Sequence, residues 1–195
     1  MIIGLTGGVG SGKSTVLEYL KDKHNAFVIQ ADKVAHELMK PGAVCHGMIA
    51  DEFGCEILGE NNAIDRRKLG DLTFKNPEKL EILSGIVHPE VRKWIVDKIR
   101  EISLSEPDRL IVIEAALLIE AGYESICDEM WCVITDYETR KKRLMESRGY
   151  SDRKVDEIIA NQLKDEDFKK HCDYVIENSD DVVATYEQIE KILEF

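Results

Sequence analysis

Proline and glycine are scarce, with four and thirteen residues in a chain of 195. Together with a hydrophobic content of 44%, that scarcity excludes a disordered or collagen-like chain. Positive charge is also in deficit. Twenty-six Lys and Arg stand against 38 Asp and Glu, a formal net charge of −12 at pH 7. A chain this acidic is a poor ligand for nucleic acid, whose phosphates need clustered cations, and for an anionic membrane surface. Long apolar runs are missing too. The most apolar window, residues 110–121 (LIVIEAALLIEA), contains Glu114 and Glu120 and falls well short of the ~20 apolar residues of a membrane span. The start, MIIGLTGGVGSGK, has no basic segment and no long apolar one, so no secretory signal is expected. The five cysteines are odd in number and none stands in C-x-x-C, which predicts free thiols in a reducing cytoplasm. Cys45-His46 and His171-Cys172 put adjacent side chains in diverging directions, and no second ligand pair sits at finger spacing; no structural metal is expected.

What is present is a chain long enough to bury one core without staples, with room for an insertion. Short β-rich runs alternate with helical stretches. Strands are expected at 2–6, 26–30, 110–115, 130–135 and 174–176. Helices are expected at 14–23, from Asp32 to the stop at Pro41-Gly42, and at 137–146 behind an Asp136 cap, 155–163 and 182–193. Alternation of this kind implies βαβ units and a parallel sheet. Residues 44–105 hold no convincing strand and read as helices at 44–53, 66–73 after an Asp65 cap, 78–83 and 89–102, the last opened by Pro89. That block is too long for a simple crossover and is expected to form a lobe inserted into one α/β core.

One motif carries most of the chemistry. Gly7-Gly8-Val9-Gly10-Ser11-Gly12-Lys13-Ser14-Thr15 contains G-x-x-x-x-G-K-[ST], behind an apolar strand and ahead of an amphipathic helix. Polyphosphate oxygens are approached by several main-chain N–H groups at once, and glycines leave no Cβ in the way. The helix N-terminus adds positive potential. Lys13 supplies a mobile cation and the Ser14 hydroxyl is a hard ligand suited to Mg²⁺. Such loops serve kinases, switches and motors alike. A GTPase switch would normally add N-K-x-D, which is absent; its D-x-x-G occurs at 51–54, where it reads as a helix end followed by a glycine. A motor would usually be longer, with an apolar strand ending in Asp, to which residues 111–114 (IVIE) are a loose match. A small-molecule kinase is the more economical reading at this length.

A kinase needs a group to orient and deprotonate the acceptor hydroxyl. Asp32, at the carboxyl end of the second strand, is the candidate, and helix N-cap is its alternative role. The acidic chain has one cationic island, from Arg140 to Lys154. Arg140 and Arg143 are one helical turn apart and Arg148 precedes Gly149. These arginines suit a lid closing on a transferring phosphoryl, or else a solvated helix face.

The residues taken together resemble the dephospho-CoA kinase family. The stretch LTGGVGSGKST is similar to that family's opening, and Ala31-Asp32-Lys33-Val34-Ala35-His36-Glu37-Leu38 to its motif after the second strand. His88-Pro89 matches its HP segment, Ala116-Leu117-Leu118-Ile119-Glu120 its PLLFE segment, and Gln162 and 172–179 its later Q and ADYVIDN stretches. The resemblance implies phosphorylation of the ribose 3′-hydroxyl of dephospho-CoA by ATP with Mg²⁺. It implies an α/β, P-loop NTPase-type three-layer core with a five-stranded parallel sheet, a helical CoA-binding lobe and a lid. On this sequence those would fall at about 1–43, 106–136 and 172–195 for the core, 44–105 for the lobe and 137–171 for the lid. The implied nucleotide-binding residues are Gly8, Val9, Gly10, Ser11, Gly12, Lys13, Ser14 and Thr15, with Arg140, Arg143 and Arg148 as lid candidates and Ser14 on the metal. The implied base is Asp32, with Thr6, His88, Leu117 and Glu120 on the substrate side. The sequence departs from the family in Gln30 for the first Asp of D-A-D, in Ala116 for Pro, and in Ser147-Arg148-Gly149 for R-D-G. The last departure leaves the choice among the three arginines open. Nothing in the pattern assigns an oligomeric state.

Overall fold

A computed structural model describes residues 1–195 except Lys75, Ala116, Glu120 and Phe195. The strands are β1 (Ile2–Thr6), β2 (Phe27–Gln30), β3 (Ile111–Glu114), β4 (Glu129–Ile134) and β5 (Tyr174–Glu177). The helices are α1 (Lys13–His24), α2 (Ala31–Leu38), α3 (Val44–Phe53), α4 (Arg66–Phe74), α5 (Pro77–Ser105), α6 (Tyr137–Arg148), α7 (Asp152–Ala160), α8 (Asp165–His171) and α9 (Val182–Leu193).

The strands form one five-stranded parallel sheet in the order β2-β3-β1-β4-β5. Central β1 pairs with β3 through Ile3 opposite Val112, and with β4 through Leu5 opposite Trp131. The period of two sends alternate side chains to opposite faces. Ile3, Leu5, Val112, Trp131, Val133 and Ile176 share one face with Val16, Leu17 and Leu20 of α1 and Ile189 of α9. Cys132 and Ile134 turn to the other face and pack with Phe168 of α8 and with Leu163. Helices therefore cover both faces, as an apolar parallel sheet requires, and the expected three-layer core is present. From β1 the chain goes to β2 at the sheet edge, comes back to β3 beside β1, and then crosses to β4 on β1's other side. The switch point thus lies at the carboxyl end of β1, where open α/β sheets bind ligands.

The chain divides into two compact units, one made of Met1–Ile29 with Glu106–Phe195 and the other of Gln30–Ser105. In the second unit α5 packs against α2, α3 and α4. Its core is apolar, with Ile49, Phe53, Ile57, Leu69, Val87, Val91 and Ile95 all buried. The expectation of separate helices at 78–83 and 89–102 is corrected here: α5 runs unbroken through Pro89. Proline costs the carbonyl four residues back, Gly85, its donor. Both residues are exposed, so water can serve that carbonyl, while the buried stripe of Val87, Val91 and Ile95 continues across the site. Trp94, one residue before Ile95, lies off that stripe and is 37% exposed. A second correction concerns 155–163: α7 starts earlier, at Asp152 behind a Ser151 cap, ends at Ala160, and is followed by the separate α8. All five cysteines are free thiols. Among the described residues no helix is long and apolar enough to cross a membrane.

Candidate active site

Residues 7–12 join β1 to α1. Gly12 caps α1 in the left-handed region at φ 91°, and a Cβ there would lie 2.0 Å from Asn178 Nδ2. Only glycine meets both demands. The helices α6, α7 and α9 each begin with a side chain accepting from the first turn: Asp136, Ser151 and Asp181. Among the described residues no side chain does this for α1, as none does for α2, α3 or α8, and α1 differs from those three in having the glycine loop and Lys13 at its start. The first N–H groups of a helix lack intrahelical partners, so this end is left as an anion seat.

The loop's carbonyls are turned to other donors. Lys13 Nζ folds back to donate to Gly7 O at 2.7 Å and Gly8 O at 3.3 Å. Glu114, at the end of β3, comes within 4.0 Å of the same ammonium. Asn178 Nδ2 donates to Ser11 O at 2.8 Å, and Thr135 Oγ1 lies 2.9 Å from that oxygen. Arg143 Nη1 reaches it at 3.5 Å, and Arg140 Nε donates to Val9 O at 3.2 Å. A carbonyl facing a phosphate would repel it, so pinning these oxygens favours an anion at the helix end. Two hydroxyls of the corner, Thr6 Oγ1 and Ser11 Oγ, are buried without a hydrogen-bond partner among the described residues. A buried orphan hydroxyl costs about 1–3 kcal/mol and marks a place where function outweighs stability.

Of the three arginines offered by the sequence, the structure brings two to the loop. Arg140 is 6% exposed, and a Cβ on Gly8 would sit 2.2 Å from its Nη2, so the guanidinium occupies the space that a side chain there would need. Burial pulls its pKa down from the ordinary arginine value, and Asp165 at 3.8 Å opposes that. Arg143 is half-buried beside it. Arg148 is exposed at the end of α6, next to the left-handed Gly149, with its guanidinium 5.9 Å from the Tyr150 ring. The helix phase accounts for the split: 140 and 143 share a face, and 148 falls where the helix stops.

The remaining expected residues differ in burial and in the unit that carries them. Thr6 is fully buried at the end of β1. Leu117, in the turn after β3, is 52% exposed, while its neighbour Leu118 is buried against Gly4. Glu120 lies outside the described residues, as does Ala116. Asp32 and His88 belong to the second unit and are both exposed. Asp32 is not the N-cap of its helix; α2 starts at Ala31 behind Gln30, and Asp32 sits in the first turn, where a carboxylate still complements the helix dipole. His88 is interior to α5.

Thr135 and the roles of Asn178 and Gln162 were not visible in the sequence pattern, since their contacts to the loop span 124, 167 and 153 residues. Glu114 had a signal, as the acidic end of a buried strand, but a loose one.

A parallel sheet with a left-handed glycine loop at its switch point, an uncapped helix behind it and a lysine folded over it defines a P-loop nucleotide-binding protein. The comparisons with known proteins narrow this. The dephospho-CoA kinase family model matches residues 1–184. The chain is 44% identical over 193 residues to the dephospho-CoA kinase of Carboxydothermus hydrogenoformans, covering 99% of this chain and 93% of that one. It is 39% identical over 194 residues to that of Fusobacterium nucleatum, covering 100% and 97%. The crystal structure of TT1252 from Thermus thermophilus superposes with a TM-score of 0.85 at 29% identity, covering 100% of this chain and 96% of that one. The chain belongs to the dephospho-CoA kinase family, which phosphorylates dephospho-CoA with ATP in the final step of coenzyme A biosynthesis.

Proposed function

We propose that the chain binds ATP on residues 8–15 and transfers its γ-phosphoryl to the ribose 3′-hydroxyl of dephospho-CoA, with Asp32 as the base. The observation that carries the nucleotide assignment is the uncapped end of α1, with Lys13 held against the carbonyls of Gly7 and Gly8. The ammonium exchanges those carbonyls for phosphate oxygens when the nucleotide binds, and with the loop N–H groups it stabilises charge on the transferring group. Arg140 and Arg143 supply the further positive charge that an acidic protein must concentrate to hold two polyanions. Asp32 accepts the hydroxyl proton and aligns the oxygen for in-line attack. The transition state of phosphoryl transfer is loose, so a weak carboxylate base suffices and positioning dominates.

The donor set suits Mg²⁺. The Ser14 hydroxyl and the Glu114 carboxylate are hard oxygens. No group of three or more His, Cys, Asp or Glu that could cage a metal stands among the described residues, so the rest of the shell would come from phosphates and water. When bound, the ion neutralises charge on the phosphates. Thr6, His88, Leu117 and Glu120 are assigned to the acceptor side on the family resemblance.

Two variants test the assignment. Lys13→Ala lowers kcat by roughly 10²-fold or more, as loss of one preorganised donor does elsewhere. Asp32→Asn keeps ATP affinity, measured by titration calorimetry, and loses turnover in a coupled ADP-release assay. Near-normal turnover in Asp32→Asn removes the base.

A further inference from the structure

Val9, at the crest of the loop, has both its main-chain polar groups tied to side chains far away in sequence. Its N–H donates to Gln162 Oε1 at 3.1 Å, and its carbonyl accepts from Arg140 Nε at 3.2 Å. Arg140 Nη2 donates to the same Gln162 oxygen at 2.8 Å, which closes a ring of three hydrogen bonds. The orientation of the amide is settled by its partners. Two N–H donors converge on one atom, so that atom is the oxygen.

Gln162 stands between α7 and α8, and that connection also ends in Asp165, whose Oδ1 is 3.8 Å from Arg140 Nη1. The chain therefore has a carboxylate close by and still gives the short contact to an amide. The difference matters for charge. A carboxylate hydrogen-bonded to a guanidinium cancels much of its field, whereas a neutral oxygen orients it and leaves the charge in place. Arg140 is almost wholly buried and lies over Gly8; Asp165 at 3.8 Å offsets part of its charge, and low dielectric makes the part that remains count most.

We propose that Gln162 is a positioning residue of the phosphate loop: its neutral oxygen holds the Arg140 guanidinium and the Val9 amide in register while leaving the arginine's charge available to a bound polyphosphate. This rests on the loop being the nucleotide seat, as proposed above. It assigns to the turn between α7 and α8 a part in ATP affinity that requires no contact between Gln162 and the nucleotide.

The test uses the full chain and three substitutions, with steady-state kinetics at saturating dephospho-CoA, hydrogen exchange of the loop amides, and thermal melting. Gln162→Leu removes both acceptor bonds. KM for ATP rises about tenfold and the loop amides exchange faster. Gln162→Glu keeps the acceptor and adds a charge. Loop protection stays near that of the unsubstituted protein, KM for ATP still rises about tenfold at low salt, and the rise shrinks at high salt as the added charge is screened. The salt dependence is the readout that a purely structural role does not move. A Gln162→Glu enzyme with unchanged KM for ATP at low salt overturns the proposal, and so does a Gln162→Leu enzyme with KM and kcat within about twofold of the starting values. If the leucine variant does not fold, the glutamate variant decides alone. Lys13→Ala separates the two claims. If it binds ATP normally, the loop is not the nucleotide seat and both readings fall; if it loses ATP while the Gln162 variants show no change, only this inference falls.

Discussion

The two units hold their functional residues in different ways. In the unit of Met1–Ile29 and Glu106–Phe195, the phosphate loop is fixed by buried or half-buried side chains from the ends of β4 and β5 and from α6, across 124 to 167 residues of sequence. In the unit of Gln30–Ser105, an apolar stripe holds the helices together, and the polar candidates Asp32 and His88 stand exposed on them. Three of its ion pairs, Lys40–Glu37, Lys98–Glu101 and Arg100–Asp97, are local contacts one helical turn apart. The first arrangement determines geometry and leaves little room for substitution. The second fixes a backbone and leaves its surface chemistry adjustable.

Glycine substitutions test that contrast most strongly. Gly12→Ala places a Cβ at φ 91° and 2.0 Å from Asn178 Nδ2. It is expected to cost at least about 2 kcal/mol of stability and to lower kcat/KM for ATP by about 10²-fold, the size of effect seen when one preorganised donor is lost. Gly70→Ala in α4 and Gly85→Ala in α5 meet nothing within 4 Å at ordinary helical φ. Each is expected to stabilise by about 0.5–1 kcal/mol, since glycine is a poor helix residue. Thermal melts and ATP kinetics on the three variants decide it. Equal effects in the two units would end the contrast.

The same contrast governs what the sequence could reveal. The loop was legible because its glycines, lysine and hydroxyl are contiguous and each has a chemical reason to be there. The bounds of α3 and α9 were legible because their apolar periods and flanking signals agree, Gly54 after α3 and Asp181 before α9. Asp65 and Asp136 do accept from the first turns of α4 and α6, as their type and place suggested. The long α5 was misread because proline is a stop signal in isolation, and only burial of the stripe on both sides of Pro89 overrides it. The separate α8 gave no period, since one residue, Phe168, is buried in it. The partners of the loop could not be found by spacing at all. Thr135, Asn178 and Gln162 are brought to it by sheet order and helix packing, which are properties of the whole fold.

A middle-sized effect is expected at Asn178, which is 3% exposed. Its Nδ2 holds Ser11 O, and its Oδ1 accepts from Thr185 Oγ1 at 2.9 Å. Asn178→Ala leaves that buried hydroxyl without its acceptor and removes one of the donors to the loop carbonyl, for a loss of about 1–3 kcal/mol. A chain of this size melts about 2–4 °C lower per kcal/mol. Glu101→Ala in the helical unit removes one exposed local ion pair and is expected to change stability by less than about 0.5 kcal/mol. If the two variants melt alike, long-range pinning does not distinguish the units.

The smallest effect is a pH dependence confined to the core unit. Glu190 of α9 accepts from Tyr19 Oη at 2.6 Å and lies 2.7 Å from His24 Nε2, both on α1. The Tyr19 hydrogen bond first, and then that of His24, hold the Glu190 carboxyl below its ordinary 4.5. Glu190 in turn pushes the Tyr19 hydroxyl from 10.0 up to about 12. The depressed carboxyl gives stability that is present above pH 4.5 and is lost as pH falls through its lowered value. The raised phenol gives stability that is present below pH 10 and is lost as pH rises through about 12. Glu190→Gln removes the charge and keeps an acceptor. The melting temperature of the unsubstituted chain should therefore exceed that of Glu190→Gln by a margin that is widest on the plateau between about pH 5 and pH 10 and narrows at both ends. Melts extended below pH 4.5 and above pH 10 check it. A margin that stays constant into acid would mean that the α1–α9 contact is held by the stacked Tyr19 and Tyr186 rings, 3.9 Å apart, and that the carboxylate contributes only as a neutral acceptor would.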